Sequence, residues 1–284
     1  MLYNEGSVFY EDLENITSSS DIPWEELAGK TILVTGATGM IGSCIIRTLL
    51  WQKKYLKNPP YVLALARNIE KAKKKFKYEI ETCKTNLFLI EGDVCSLPEI
   101  DGEIDYIIHT ASITNSGAFV KEPLEVIRVA VLGTNNLINL GINKRIQGFL
   151  YFSSMEVYGM PEKGHAVTEN EIYGFNPAII RNSYPISKQM CESLCLSAGS
   201  EYGLPVYLLR LTQTFGPEAE YTDQRVFAEF MRCVIEKKDI ILKTPGLSER
   251  CYIYTADAVK AAFIVLLKGK KQEIYNVANP DTYC

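Results

Sequence analysis

Residues 31–42 read Thr31-Ile-Leu-Val-Thr-Gly-Ala-Thr-Gly-Met-Ile-Gly42: an apolar strand, a glycine-rich turn and the opening of a helix. Gly36 permits a tight turn, Gly39 lets backbone approach a pyrophosphate, and Gly42 allows the helix to pack closely on the strand. The helix start offers free N–H groups and partial positive charge to phosphates. Thr38, Met40 and Ile41 complete the turn. A lone glycine triplet says little; set between strand and helix, it reads as a dinucleotide site.

Outward from this turn, strand and helix patterns alternate, as in parallel βαβ units. Strands are predicted at Thr31–Thr35, Tyr61–Ala66, Leu87–Glu91, Tyr106–Thr110, Gly148–Ser153 and Val206–Leu211. Most are short apolar runs, as expected where both faces are buried. Helices are expected at Ile41–Gln52 and Leu124–Leu140. A second tract carries Phe227–Lys237, Ile240–Leu242, Tyr252–Tyr254, a helix-like Asp257–Leu267 and a strand-like Ile274–Val277. The fold class is therefore α/β, a Rossmann-type doubly wound parallel sheet with a small C-terminal substrate-binding lobe. The expected division is a dinucleotide-binding domain over residues 31–212 and 255–279, and a substrate lobe over 213–254 and 280–284. Residues 1–30 read as an appended arm, with Trp24 as anchor. The aperiodic stretch Pro161–Asn182 reads as a loop before a helix, a length at which loops often carry function.

The 284 residues carry a formal net charge of −4, so no overall basic field is available for a nucleic acid. The run Lys71, Lys73, Lys74, Lys75, Lys77 reads as a solvated helix face. Eight cysteines and two histidines show no metal-ligand spacing, so no metal is expected. Free thiols suit a reducing cytoplasm. The first 30 residues lack the basic start and apolar run of a signal peptide, and no stretch has the length of a membrane helix.

A dinucleotide site commonly carries an acid at the end of the second strand to bind the ribose 2′-hydroxyl. Here Ala66 holds that place and Arg67 follows. Arg67 suits the 2′-phosphate of NADP, or simply begins a helix at the surface; NAD and NADP both stay open. Asp93 and Val94, after the third strand, are placed to meet the adenine end.

Tyr184 and Lys188 are four apart, which puts them on one helix face. An ammonium beside a phenol lowers the phenol pKa toward neutrality, so that its oxygen can exchange a proton during hydride transfer. Ser153-Ser154, at the end of a strand, offers a hydroxyl to the same substrate oxygen.

With these pieces stand His109-Thr-Ala-Ser112, Gly133-Thr134, Ser154-Met-Glu-Val-Tyr-Gly159, Leu209-Arg210 with Gly216-Pro217, and Arg250-Cys-Tyr-Ile-Tyr with Asp257. Together they resemble the extended short-chain dehydrogenase/reductases that modify nucleotide sugars, the epimerase/dehydratase family. The resemblance implies a retained nicotinamide cofactor, oxidation of the sugar at C4, a homodimer formed through helices Leu124–Leu140 and Tyr184–Ser197, and Ser154, Tyr184 and Lys188 as catalytic residues. It adds Thr110, Ala111 and Ser112 to the cofactor site. Arg250 becomes a ligand of the nucleotide diphosphate, where its charged fork is suited; an ion pair with Asp257 is its alternative. Arg181, Gln213 and Arg225 join it as candidate substrate ligands.

Glu156, two after Ser154, is expected on the same side of an extended segment. Dehydratases and decarboxylases of the group carry Glu there, whereas a simple 4-epimerase needs none. Met155 stands where sugar dehydratases often have an acidic Asp. The phrases around Arg181 and Arg250 are similar to those of UDP-glucuronate decarboxylases, with Arg250 or Arg181 holding the uronate carboxylate. The expected order is decarboxylase, then 4,6-dehydratase, then 4-epimerase. A non-catalytic NADP-binding sensor would lack the tyrosine and lysine, and a reductase would exchange its cofactor each turnover. Ala130 and Gln213 replace asparagines usual in the group, which points to an unusual sugar.

Overall fold

The computed structural model describes residues 6–83, 85–162, 164–242 and 251–279. Helix α1 (Val8–Thr17) precedes β1 (Thr31–Thr35), α2 (Met40–Trp51), β2 (Tyr61–Ala66), the short α3 (Ile69–Lys75) and α4 (Lys77–Thr82), and β3 (Leu87–Glu91). Then come β4 (Tyr106–His109), α5 (Ala118–Lys121), α6 (Pro123–Lys144), β5 (Gly148–Ser154), α7 (Ser183–Tyr202) and β6 (Val206–Leu211). The chain continues through β7 (Gln213–Phe215), α8 (Val226–Glu236), β8 (Tyr252–Tyr254), α9 (Thr255–Lys268) and β9 (Glu273–Val277).

Seven strands form one parallel sheet in the order β3-β2-β1-β4-β5-β6-β9. Alternate residues of β1 serve opposite faces: Ile32 and Val34 join one core with Ile45, Leu49 and Phe263, while Leu33 joins another with Leu137, Ile138, Cys191 and Cys195. That two-sided burial is why the strands read as unbroken apolar runs. Strand order reverses direction at β1 and β4, paired Thr35 to His109, and the crevice beyond their carboxyl ends is where such sheets bind ligands.

Helix ends follow local chemistry. Pro123 occupies the first turn of α6, and Gly203, at φ +68, stops α7 in the left-handed conformation. Residues 7–28, expected to form an arm, instead pack on the sheet's helical layer. The reason is an amphipathic α1 whose Phe9, Leu13 and Ile16 are buried, followed by Trp24 against Phe263 at 4.8 Å. Glu14 accepts hydrogen bonds from Trp51, Lys54 and Tyr55, and Asp12 accepts one from Tyr254 at 2.7 Å.

Beyond β6, β7 and β8 pair in parallel as a separate two-stranded sheet. Ile240–Leu242 forms no strand; all three side chains are exposed and irregular. The Pro217-Glu218 segment is bound to α2. Glu218 accepts from Ser43 and Arg47, and from Lys75 at 3.0 Å. Arg47, 2% exposed, also donates to Glu79 at 2.5 Å and to the Lys75 carbonyl at 2.9 Å. A buried arginine between two buried carboxylates thus locks this segment to the helix of the glycine turn.

Candidate active site

The glycine turn is shaped by close backbone approach. Gly36 has φ +68, and a Cβ there would lie 2.6 Å from Thr110 Oγ1 and 2.7 Å from Ala111 N. Thr110 donates to the Thr35 carbonyl at 2.7 Å, which fixes residues 110–112 beside the turn. Gly42 is equally tight: a Cβ would press on the Gly36 carbonyl and come 2.9 Å from Thr110 Oγ1. Gly39 differs, because it is exposed and a Cβ would meet the Gly36 carbonyl at 3.2 Å and no other neighbour. It caps α2 without any side-chain hydrogen bond, which leaves the first N–H groups facing outward. The turn therefore fits a dinucleotide pyrophosphate. Gly36, Thr38, Gly39, Met40, Ile41 and Gly42 form this wall.

Arg67 is exposed at the end of β2, ahead of the Asn68 cap of α3, whose side chain accepts from Lys71 N at 2.8 Å. Asp93 accepts from Cys95 N at 2.8 Å, and buried Val94 fills the space left by Gly133 on α6. The motif histidine is structural: His109 is buried and hydrogen-bonds Thr35 at 2.7 Å and Thr134 at 3.2 Å. Burial, and then the charge of Lys188, push its pKa down to about 3.

Beyond the turn, Ser154 ends β5, Tyr184 opens α7 and Lys188 follows one turn later, so strand end and helix start bring the three together. Ser154 Oγ lies beside the Tyr184 phenol and accepts from Glu156 N at 3.2 Å. Lys188, 3% exposed, donates to the Phe152 carbonyl at 2.7 Å and lies 4.8 Å from the centre of the Tyr151 ring.

Two expectations are corrected here. In this site the phenol is not drawn toward neutrality: burial pushes Tyr184 up to about 12, against the Ser154 hydroxyl, which lowers it. Burial likewise pushes Lys188 down to about 8. Loss of water is the largest cause of both shifts. Glu156, second, does not extend beyond Ser154. It lies in a 3-10 turn, Met155–Tyr158, which brings it to Arg181 at 2.9 Å.

Sequence reading missed Phe119. Its ring stacks on Tyr184 at 4.3 Å, with 9° between planes, and the Arg181 guanidinium lies 4.8 Å from its centroid on α5. Tyr184, Phe119, Arg181 and Glu156 thus form one continuous stack and ion pair. Nothing local marks Phe119, because a four-residue helix shows no periodicity.

The remaining substrate candidates lie in the lobe. Gln213 is half-buried on β7, its N–H donating to Cys251 O at 3.2 Å. Arg225 pairs with Asp223 at 2.6 Å and donates to the Thr214 carbonyl at 2.9 Å. Arg250 lies outside the described residues.

The profile of the NAD dependent epimerase/dehydratase family matches residues 32–278. The chain belongs to this family. Among relatives, the dTDP-D-glucose 4,6-dehydratase of Mus musculus is 29% identical over 254 residues, covering 87% of this chain and 68% of that protein. The UDP-glucuronic acid decarboxylase 6 of Arabidopsis thaliana is 28% identical over 255 residues, covering 89% and 70%. Of solved structures, the UDP-N-acetylglucosamine 4-epimerase from Methanobrevibacter ruminantium M1 superposes with TM-score 0.73 at 24% identity, covering 88% of this chain and 77% of that one. The dTDP-glucose 4,6-dehydratase of Streptomyces venezuelae, solved with NAD, gives TM-score 0.73 at 22% identity, covering 87% and 75%. The Rossmann-type fold of the family is the fold of this protein.

Proposed function

We propose that the protein is an NAD(P)-dependent nucleotide-sugar enzyme acting through a 4-keto intermediate, and that its reaction is decarboxylation of a UDP-glucuronate-type uronate. The observation that carries this reading is the Arg181–Glu156 pair stacked beside Tyr184, with Met155 as the neighbouring side chain. A uronate needs a cation to hold its carboxylate, and Arg181, 41% exposed at the side chain, is free to turn from Glu156 to the substrate. Dehydration needs in addition an acid to expel water from C6, and Met155 has no proton to give.

The glycine turn, with Asp93, Val94 and Thr110–Ser112, holds the dinucleotide, and Lys188 borders it. A bound oxidised nicotinamide would supply a hydride acceptor for C4 and a positive charge, with the glycine turn and Lys188 as the residues that would hold it. Nearby cationic charge would have to lower the Tyr184 pKa so that its phenolate forms, and the phenolate then takes the proton of the C4 hydroxyl. Ser154 holds the same oxygen. The C4 carbonyl makes the uronate a β-keto acid: the C5–C6 bond breaks, carbon dioxide leaves, and the electron pair moves to the C4 oxygen held by Ser154 and Tyr184. Arg250 is assigned to the nucleotide diphosphate, Gln213 and Arg225 to the substrate, residues 31–212 and 255–279 to the cofactor, and 213–254 with 280–284 to the substrate. Arg67, exposed at the end of β2, suits a 2′-phosphate or simply begins α3, so NAD and NADP both stay open as the cofactor.

A 4,6-dehydratase is the second reading, favoured by the 29% identity to relatives with that activity; a 4-epimerase comes third. The homodimer is assigned to α6 and α7, on which Leu124, Ile127, Leu132 and Met190 are exposed. No described helix is long and apolar enough to cross a membrane, and the eight cysteines suit a reducing cytoplasm. The test is Arg181→Met: KM for UDP-glucuronate is expected to rise at least tenfold, with affinity for UDP unchanged. Equal KM in the two proteins would remove the arginine from the reading.

A further inference from the structure

Behind the catalytic groups lies a second cluster, in which the motif residues Ser153, Tyr158 and Arg210 meet Glu192, a residue that sequence reading did not mark. Glu192, 5% exposed, sits on α7 one turn beyond Lys188. Its carboxylate accepts from Ser153 Oγ at 2.5 Å, from Arg210 Nε at 2.9 Å and from Arg210 Nη2 at 2.7 Å. Arg210, 3% exposed, lies opposite Ser153 in the β5–β6 register. It also donates to the Glu169 carbonyl at 2.9 Å, and its guanidinium lies 4.7 Å from the centre of the Tyr158 ring. Tyr158 in turn donates to Asn276 at 2.5 Å, and Asn276 N donates to Glu169 at 2.7 Å.

Every element that carries a catalytic side chain ends on this cluster. Ser153 precedes Ser154. Tyr158 closes the turn that holds Glu156. Glu192 shares a helix with Tyr184 and Lys188. A fully buried ion pair is a poor way to gain stability, because an apolar pair of similar volume often serves the fold as well. What a bidentate pair adds is fixed direction.

We infer that Glu192, held by Arg210, is a positioning residue: it sets the Ser153–Ser154 strand end against Tyr184 and supplies the negative charge that keeps Lys188 an ammonium. This rests on the assignment of Tyr184 and Lys188 as the proton-exchanging pair, but not on which sugar is processed. Around Lys188 the other titratable groups are Cys191 and Cys195 on α7, Tyr184 at the start of α7, Tyr151 on β5 and His109 on β4. His109, held at about 3, is neutral near neutral pH, and Glu192 is the carboxylate packed with this group. Removing its charge takes a carboxylate away from the turn of α7 that follows Lys188 and favours loss of the lysine proton.

The test is Glu192→Gln, which keeps the shape and removes the charge, with the double variant Glu192→Leu/Arg210→Met as an apolar replacement. Lys188 is followed by NMR through the pH dependence of its side-chain carbon shift in lysine-labelled protein, assigned with Lys188→Arg. That readout needs no substrate and so stands even if every candidate sugar fails. The titration midpoint is expected to move at least half a unit lower in Glu192→Gln. With a sugar that turns over, kcat should fall tenfold or more while KM moves less than threefold. In the double variant the fold is kept and kcat lost. A folded Glu192→Gln with an unmoved midpoint and wild-type kcat overturns the inference. Failure of both variants to fold overturns it too, by making the cluster a requirement of folding.

Discussion

Replacing Gly39 and Gly42 separately by alanine distinguishes the turn's two jobs, ligand approach and packing. Gly39 has φ −72 and ψ 167, which any residue adopts, and an added Cβ would meet the Gly36 carbonyl at 3.2 Å. Lower entropy of the unfolded chain offsets that tight contact, so Gly39→Ala should change stability by less than about 1 kcal/mol. Its methyl group would nevertheless stand over the first N–H groups of α2, where a pyrophosphate has to approach. A Kd for the dinucleotide weakened about tenfold or more is expected, roughly 1.4 kcal/mol. Gly42→Ala presses on backbone, at 3.0 Å from Gly36 C and closer to its oxygen. Overpacking of that kind costs about 1–3 kcal/mol, and at about 2–4 °C per kcal/mol the Tm should fall by several degrees. Calorimetric titration with NAD and NADP, beside thermal unfolding, reads both quantities. A Gly39→Ala protein that binds the dinucleotide as tightly as the wild type would refute the role given to this turn.

Other outcomes follow from the same geometry. Lys188 has a folded pKa of about 8 against an ordinary 10.5. Between those values the unfolded chain holds a proton that the folded chain lacks, so the cost of the buried charge is present below pH 8 and is relieved as pH rises. Relative to Lys188→Met, the wild type should gain up to about 3 kcal/mol across that window in denaturant titrations; parallel curves would contradict it. Arg47→Met removes the buried cation that Glu79 and Glu218 share and should cost about 3–5 kcal/mol, read as a lower denaturation midpoint. Arg67→Ala should weaken NADP at least tenfold and leave NAD unchanged; equal losses for both would remove the 2′-phosphate contact. Leu124→Glu with Ile127→Glu should lower the mass seen by light scattering to that of one chain, and an unchanged mass would move the dimer elsewhere.

The sheet was legible because its strands are buried on both faces and so appear as uninterrupted apolar runs such as Ile32–Val34. The glycine turn was legible because each glycine answers a local steric demand. What escaped was whatever depends on contacts between distant segments. The helix of residues 8–17 looked like an arm because its partners, Arg47, Trp51 and Tyr254, lie at least 30 residues away. Phe119 and Glu192 carry no spacing that marks them, and nothing local shows that the motif residue Arg210 pairs with Glu192. The Tyr-x-x-x-Lys spacing located the catalytic pair but misjudged its electrostatics, since desolvation is a property of the folded interior.

The most direct test of the central claim is mass spectrometry of the products formed when purified protein meets UDP-glucuronate, UDP-glucose, dTDP-glucose and GDP-mannose in turn. Loss of carbon dioxide from UDP-glucuronate, with the three hexoses unchanged, is the expected result. Loss of water from any hexose, with the uronate untouched, would contradict the decarboxylase reading and assign the Glu156 site to dehydration.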